Sequence, residues 1–347
     1  MKAGEPKTRR STSRGGYRDE LAVVEAAYAL AGTESDWVAG LAEASAAVLD
    51  EGWGMTATTW TGSSAGISLR TMSTFGGPSG LAEAAVEAMQ MSREIQSGLV
   101  RNAPCTSLAL AGGSRLVDQD DGSRGLVRLG IRDAFTVLAV DGTGFVTGIS
   151  AYRPEPTRPP RGTVALWSRI ACHLSAGFRV RRSLSAARAE SGDRLDPLPG
   201  SEAILKPSGK MAHAEGAAQK AHLALARAVV AIDRARTRAQ RQDPDAALEA
   251  WRGLVEGRWS LVEHFDSDGQ RFLVARKNDP DARGPRGLEA RERLVLAYRA
   301  RGISLKLIAY ELGLSIPSVS RALQSGMNKL GLSSQEQLVS LFFPPSD

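Results

Sequence analysis

The chain has 347 residues and a formal net charge of +6, from 44 Lys and Arg against 38 Asp and Glu. That length predicts two or three domains at about 150 residues each. Hydrophobic residues make up 42% and charged residues 24%, a globular balance that excludes a largely disordered chain. The glycines follow no three-residue period, which excludes a collagen-like chain. Two cysteines, Cys105 and Cys172, cannot by themselves build a disulfide framework or a four-ligand zinc site. A reducing, cytoplasmic setting is therefore expected. No apolar run approaches the ~18–20 residues of a bilayer span. Residues 1–18 are basic and polar and lack the apolar segment of a secretory signal. They are expected to form a disordered basic tail.

Residues 19–190 read as one α/β unit. Leu21–Leu30 and Trp37–Leu49 carry apolar residues at helical spacing, with Ser35 or Asp36 as the cap of the second. Met55–Trp60 and Ile67–Phe75 are rich in Thr, Trp and small residues and predict two strands. Leu81–Gln96 returns to helical spacing. Ala134–Val140 and Phe145–Tyr152 are β-rich runs around Asp141-Gly142-Thr143-Gly144, a turn in which glycine supplies the φ > 0 backbone. Arg153–Arg161 holds four prolines and reads as a loop. Val164–Arg188 predicts a long helix with Leu166, Ile170, Leu174 and Phe178 on one stripe.

Residues 196–280 read as a second, smaller unit. Ala203–Leu205 and Met211–Ala214 flank a hairpin turn, and helices follow at Ala217–Gln240 and Ala246–Val255. The latter opens on Asp243-Pro244, a cap with proline in the first turn. Trp259–Phe265 and Arg271–Arg276 predict two strands around a turn at residues 266–269. Residues 281–287 read as a linker. By element order the first unit is similar to a GAF-like domain and the second to a PAS-like module. Those resemblances imply a sensor that receives a small-molecule or protein signal within residues 19–280.

Residues 288–347 carry the most specific pattern. Leu288, Val295, Leu296 and Ala300 line one side of a helix that Gly302 ends. Ser304 caps a short helix with Ile308, Ala309 and Leu312 facing inward, and Gly313-Leu314-Ser315 turns the chain. Ser315 caps a third helix, which tolerates Pro317 in its first turn. Val319, Ala322, Leu323, Gly326, Met327 and Leu330 form its apolar face. Ser318, Ser320, Arg321, Gln324, Ser325 and Asn328 form its polar face. A short helix, a tight glycine turn and a third helix with a polar outer face is helix-turn-helix architecture.

At these residues the chain resembles the LuxR-type helix-turn-helix regulators. The matching residues are Leu288, Arg291-Glu292, Gly302, Ser304, Lys306, Ile308-Ala309, Leu312-Gly313-Leu314-Ser315, Val319, Lys329-Leu330-Gly331 and Leu338-Val339. The resemblance implies an all-α four-helix domain that binds double-stranded promoter DNA as a homodimer. The whole chain is then α+β: a GAF-like domain, a PAS-like module and this C-terminal domain. Ser320, Arg321 and Gln324 are placed to reach base edges, Arg321 for guanine and Gln324 for adenine. Ser304, Lys306, Ser318 and Lys329 are placed for phosphates. The fourth helix opens on a capping box of Ser333 and Glu336, and its Leu338, Leu341 and Phe342 are the expected pairing face. The chain departs from the family pattern at Glu289-Ala290, Leu307, Ser320 and Gln324.

Two other readings stay open: a sigma-factor-like promoter-recognition protein, and an N-terminal enzyme or scaffold fused to a DNA-binding module. The fourth helix separates this domain from sigma factors, which share its first three helices. No catalytic set, metal site or cofactor loop is legible. Ser208-Gly209-Lys210-Met211 lacks the hydroxyl and the upstream glycine of a phosphate loop. Asp118, Asp120 and Asp121 read as a solvated loop, and Cys172-His173 as ordinary helix positions. The charge is not concentrated where DNA is expected. Residues 288–347 hold seven Lys and Arg against five Asp and Glu, whereas residues 217–242 hold six against Asp233 alone. Arg227, Arg234, Arg236, Arg238 and Arg241 thus form either a solvated helix face or a second nucleic-acid stripe.

Overall fold

The computed structural model describes residues 19–63, 66–102, 104–140, 145–191, 201–251, 253–255, 259–265, 268–277, 289–330 and 334–342. The expected tail, the linker, the turn at 141–144 and the side chains of Lys329, Leu341 and Phe342 lie outside the described residues.

The first unit runs α1 (Glu20–Ala27), α2 (Glu34–Leu49), β1 (Met55–Ser63), β2 (Gly66–Phe75), α3 (Leu81–Ala88), α4 (Arg93–Arg101), β3 (Cys105–Ser107), α5 (Leu108–Gly112), α6 (Ser114–Gln119), α7 (Arg124–Arg128), β4 (Asp133–Val140), β5 (Phe145–Arg153) and α8 (Arg161–Ser191). The second runs β6 (Ser201–Leu205), β7 (Met211–Ala214), α9 (Gly216–Lys220), α10 (His222–Ala235), α11 (Arg238–Arg241), α12 (Pro244–Ala250), β8 (Leu254–Val255), β9 (Trp259–Phe265) and β10 (Arg271–Lys277). Four helices follow: α13 (Ala290–Ala300), α14 (Leu305–Leu312), α15 (Ile316–Leu330) and α16 (Gln335–Phe342).

Each unit contains one five-stranded antiparallel sheet, in the orders β2-β1-β5-β4-β3 and β7-β6-β10-β9-β8. Counted within its own unit, each sheet places its strands second, first, fifth, fourth, third. Successive side chains on a strand alternate between faces, so the first sheet has two dry sides. Met55, Ala57, Val137, Ile149 and Ala151 join a core with α1, α2 and α8. Ala134 and Tyr152 face the other way, into a second core under α3 to α7.

The larger core does not stop at the end of α8. It continues through Leu225, Val229, Trp251, Trp259 and Leu273 of the second unit. Tyr28, which caps the end of α1, stacks on Trp251, with ring centroids 6.3 Å apart. The two units expected from the sequence therefore share one hydrophobic interior.

Several elements differ from the sequence expectations. Thr33, rather than Ser35 or Asp36, caps α2: its hydroxyl accepts the Asp36 N–H, and the Asp36 carboxylate accepts the Thr33 N–H. The stretch Leu81–Gln96 is broken after Ala88, because side chains take up the freed backbone groups. Gln96 donates to the carbonyls of Met89 and Met91, and Asp120 accepts the Ser92 N–H at 2.8 Å. Asp120 is thus a buried cap and not part of a solvated loop. The expected helix 217–240 is three helices, with the Thr237 hydroxyl donating to the Arg234 carbonyl at the second break. The helix expected to reach Val255 ends at Ala250, and Leu254–Val255 pairs with β9 as an edge strand.

Two arginines of the basic stretch are tied down. Arg236 pairs with Glu25 and Glu263, and Arg241 with Asp19 and Glu25. Arg227, Arg234 and Arg238 face solvent. Among the described residues no helix is long and apolar enough to cross a membrane.

Candidate nucleic-acid interface

The C-terminal helices are set by local backbone bonds. Glu292 accepts the Glu289 N–H at 2.8 Å, which opens α13. Gly302, at φ +78°, closes it: its N–H reaches the Arg299 carbonyl and the Ile303 N–H reaches that of Tyr298. The Ser304 hydroxyl accepts the Leu307 N–H and starts α14. Gly313 ends α14 at φ +62°, in the left-handed region that a Cβ disfavours. The Ser315 hydroxyl then accepts the Ser318 N–H and starts α15.

The inner face of this domain is packed as its spacing implies. Val295, Tyr298, Ile308, Ala309, Leu312 and Val319 make its core. A Cβ on Gly326 would lie 2.8 Å from Leu296 Cδ1, so glycine lets α15 approach α13 closely. Ser325, expected on the outer face of α15, is half-buried instead and donates to Glu292 at 2.6 Å.

The outer face of α15 carries Ser320, Arg321 and Gln324, all exposed, with Ser318 half-buried beside them. The Arg321 guanidinium lies along the first turn, 3.4 Å from the Pro317 carbonyl and 3.5 Å from the Ser318 hydroxyl. No carboxylate forms a salt bridge with it among the described residues. Ser304 and Lys306 are exposed at the start of α14. Five of the six residues named for this surface with described side chains are thus solvent-facing on two adjacent helix starts, and the sixth borders them.

Leu338 does not fit a pairing face. It is 0% exposed within the single chain, packed with Leu296 and Ala300. Val339 is its exposed neighbour, at 37%. The expected cap Ser333 lies outside the described residues, and the Ser334 carbonyl accepts the Leu338 N–H.

A second face of α14 meets the upstream units, which sequence reasoning did not anticipate. Leu307 and Tyr310 pack against the large upstream core. Tyr310 is 3.0 Å from His173 Nε2 of α8, and its hydroxyl donates to the Leu248 carbonyl of α12. His173 Nδ1 lies 3.0 Å from the Tyr28 hydroxyl. Glu311 accepts the Tyr298 hydroxyl at 3.0 Å and lies 3.5 Å from Arg179 of α8. Burial drives the pKa of His173 down to about 3, with the charge of Arg169 adding to it. Burial pushes Glu311 above the usual carboxylate range, opposed by Arg179. The only legible signal was a Tyr-Glu pair on a short helix whose other side already fills a core. Among the described residues no group of three or more His, Cys, Asp or Glu could hold a metal ion.

Residues 287–342 match the family model for bacterial regulatory proteins of the luxR family. The match covers α13 to α16 and leaves both sheets outside it. No curated protein matches the chain.

Proposed function

From a chain that carries a LuxR-family DNA-binding domain, and is to that extent a transcriptional regulator, we propose a promoter-binding homodimer controlled by its two upstream units. The observation that carries the DNA reading is the outer face of α15. It presents Ser320, Gln324 and the Arg321 guanidinium, which has no carboxylate partner among the described residues, to solvent while the opposite face fills the core. In this reading α15 enters the major groove. Arg321 takes guanine O6 and N7, Gln324 takes adenine, and Ser320 borders them. Ser304, Lys306, Ser318 and Lys329 hold phosphates and set the register without reading bases.

Pairing of two copies is assigned to α16, through its exposed Val339 and, as the family resemblance implies, Leu341 and Phe342. Control is assigned to the upstream units because α14 is bonded to α8 through Tyr310 and Glu311. The GAF-like reading of residues 19–190 and the PAS-like reading of residues 196–280 rest on element order, and the two sheets share one strand order. The reading includes no catalytic step and places the protein in the cytoplasm.

Selection of bound DNA from a random pool at fixed salt tests it. Enrichment of a two-fold symmetric site is the expected result. No enrichment overturns the DNA reading, and an asymmetric site bound by one copy overturns the dimer.

A further inference from the structure

Between the first sheet and helices α3, α4 and α7 lies a cavity whose empty space is about 670 Å³, including open solvent at its mouth. Its floor is set by strand register. Thr56, Ser150 and Thr136 form one rung across β1, β5 and β4, and Thr58, Gly148 and Leu138 form the next. Its roof is apolar, from Ala85, Ala88, Met91, Leu99 and Leu126. Among the described residues, no Asp, Glu, Lys, Arg or His lines it. A charged guest would lose its hydration there and meet no counter-charge.

The hydroxyls of the floor have partners, and that of Thr58 donates to the Gly148 carbonyl at 3.4 Å. Thr56 Oγ1 meets the Tyr152 hydroxyl at 3.1 Å, and Thr136 Oγ1 meets Ser150 Oγ at 3.3 Å. Gln96 donates to two carbonyls on the roof side. Trp60 is different. It is 8% exposed, and its indole Nε1 is buried with no hydrogen-bond partner among the described residues. An indole nitrogen can only donate, and a buried donor without an acceptor is destabilising.

Gly148 sets the indole edge against the sheet. A Cβ there would lie 2.6 Å from Thr58 Oγ1 and 3.2 Å from Trp60 Nε1. Glycine therefore lets both side chains lie close over this strand, on the face that lines the cavity.

We propose that this cavity binds a small, neutral organic molecule with an apolar ring or chain and one carbonyl oxygen, which accepts from the Trp60 N–H. The apolar part lies under α3, α4 and α7. As the input of a regulator, the site rests on the proposed controlling role of this unit. Its binding is measured without DNA, so failure here leaves the DNA reading standing, and failure of DNA selection leaves this site standing.

The test titrates the full chain by calorimetry with acetophenone and separately with ethylbenzene, which has the same ring and no oxygen. Wild type should bind acetophenone saturably and about tenfold more tightly than ethylbenzene, the worth of one good hydrogen bond. Trp60→Phe should abolish that preference. Ala88→Leu should fill the cavity and weaken both ligands. Should Trp60→Phe fail to fold, the wild-type preference and the Ala88→Leu loss decide the matter. The proposal is overturned by no saturable acetophenone binding, by equal affinity for the two ligands, by a preference that survives Trp60→Phe, or by unchanged binding in Ala88→Leu.

Discussion

His173 Nε2 of α8 and the Tyr310 hydroxyl of α14 lie 3.0 Å apart, 137 positions apart in the chain. The proton inventory orders this contact. Tyr310 gives its only hydroxyl proton to the Leu248 carbonyl, so it must accept from His173 Nε2–H. Nδ1 is then the acceptor for the Tyr28 hydroxyl. One neutral imidazole tautomer thus connects α1, α8, α12 and the DNA-binding domain.

Tyr310→Phe removes the acceptor of Nε2–H and the donor to Leu248 together. The expected loss is about 1–3 kcal/mol of unfolding free energy, because buried polar groups are left unmatched. Urea unfolding of the full chain measures it. An unchanged midpoint would show that these bonds do not form.

The same imidazole makes stability depend on pH. Its folded pKa of about 3 lies below the ordinary value of about 6.5. Between those values the unfolded chain binds the extra proton, so stability rises with pH across that window and falls as acid is added. The slope from this group approaches about 1.4 kcal/mol per pH unit well inside the window. Glu311, with its raised pKa, contributes in the opposite sense. Comparing wild type with His173→Gln at pH 7 and pH 5 isolates the histidine, and wild type should lose more.

Glu311 and Arg179 form a buried pair across the same junction. Glu311→Leu should cost about 3–5 kcal/mol, because it leaves a buried guanidinium without its carboxylate. Adding Arg179→Met should recover part of that loss. A double-mutant cycle with no coupling would place the two groups apart in solution.

On the proposed DNA face, Arg321→Ala should cost roughly 1–3 kcal/mol on the selected site and relax preference at one base. Lys306→Ala should weaken all sequences alike and lower the salt slope by about one. Competition binding at several salt concentrations reads both. Unchanged base preference in Arg321→Ala would mean that α15 docks by another face.

The test of pairing must avoid Leu338. Because that side chain is wholly buried, Leu338→Ala should destabilise the domain by about 2–5 kcal/mol whatever the oligomeric state. Val339→Glu leaves the core intact and should shift the protein toward monomer in sedimentation at equal melting temperature. A dimer that tolerates Val339→Glu would move the interface elsewhere.

Eight of the ten strands were legible because β-branched and aromatic runs between turn residues report a local preference, whereas the short edge strands β3 and β8 carry too few residues to do so. The two long helical stretches were misjudged for the converse reason. Periodicity through Ala88 and Ile95 continues across a break that Gln96 and Asp120 stabilise from elsewhere. Likewise the spacing of Ser325 puts it on the polar side of α15, and only the approach of Glu292 turns it inward.

The C-terminal domain was determined by the sequence alone. Gly302, Ser304, Gly313 and Ser315 each act on backbone groups within a few positions of themselves, so a linear pattern suffices to specify two helix ends and two helix starts. Tertiary structure alone decided what the domain touches. Tyr310 and Glu311 look like polar surface until α8 supplies His173 and Arg179, and Trp60 looks like any strand residue until Gly148 lets its indole edge lie against the sheet. Those relationships depend on burial and on partners about ninety to 140 positions away, which no local spacing encodes.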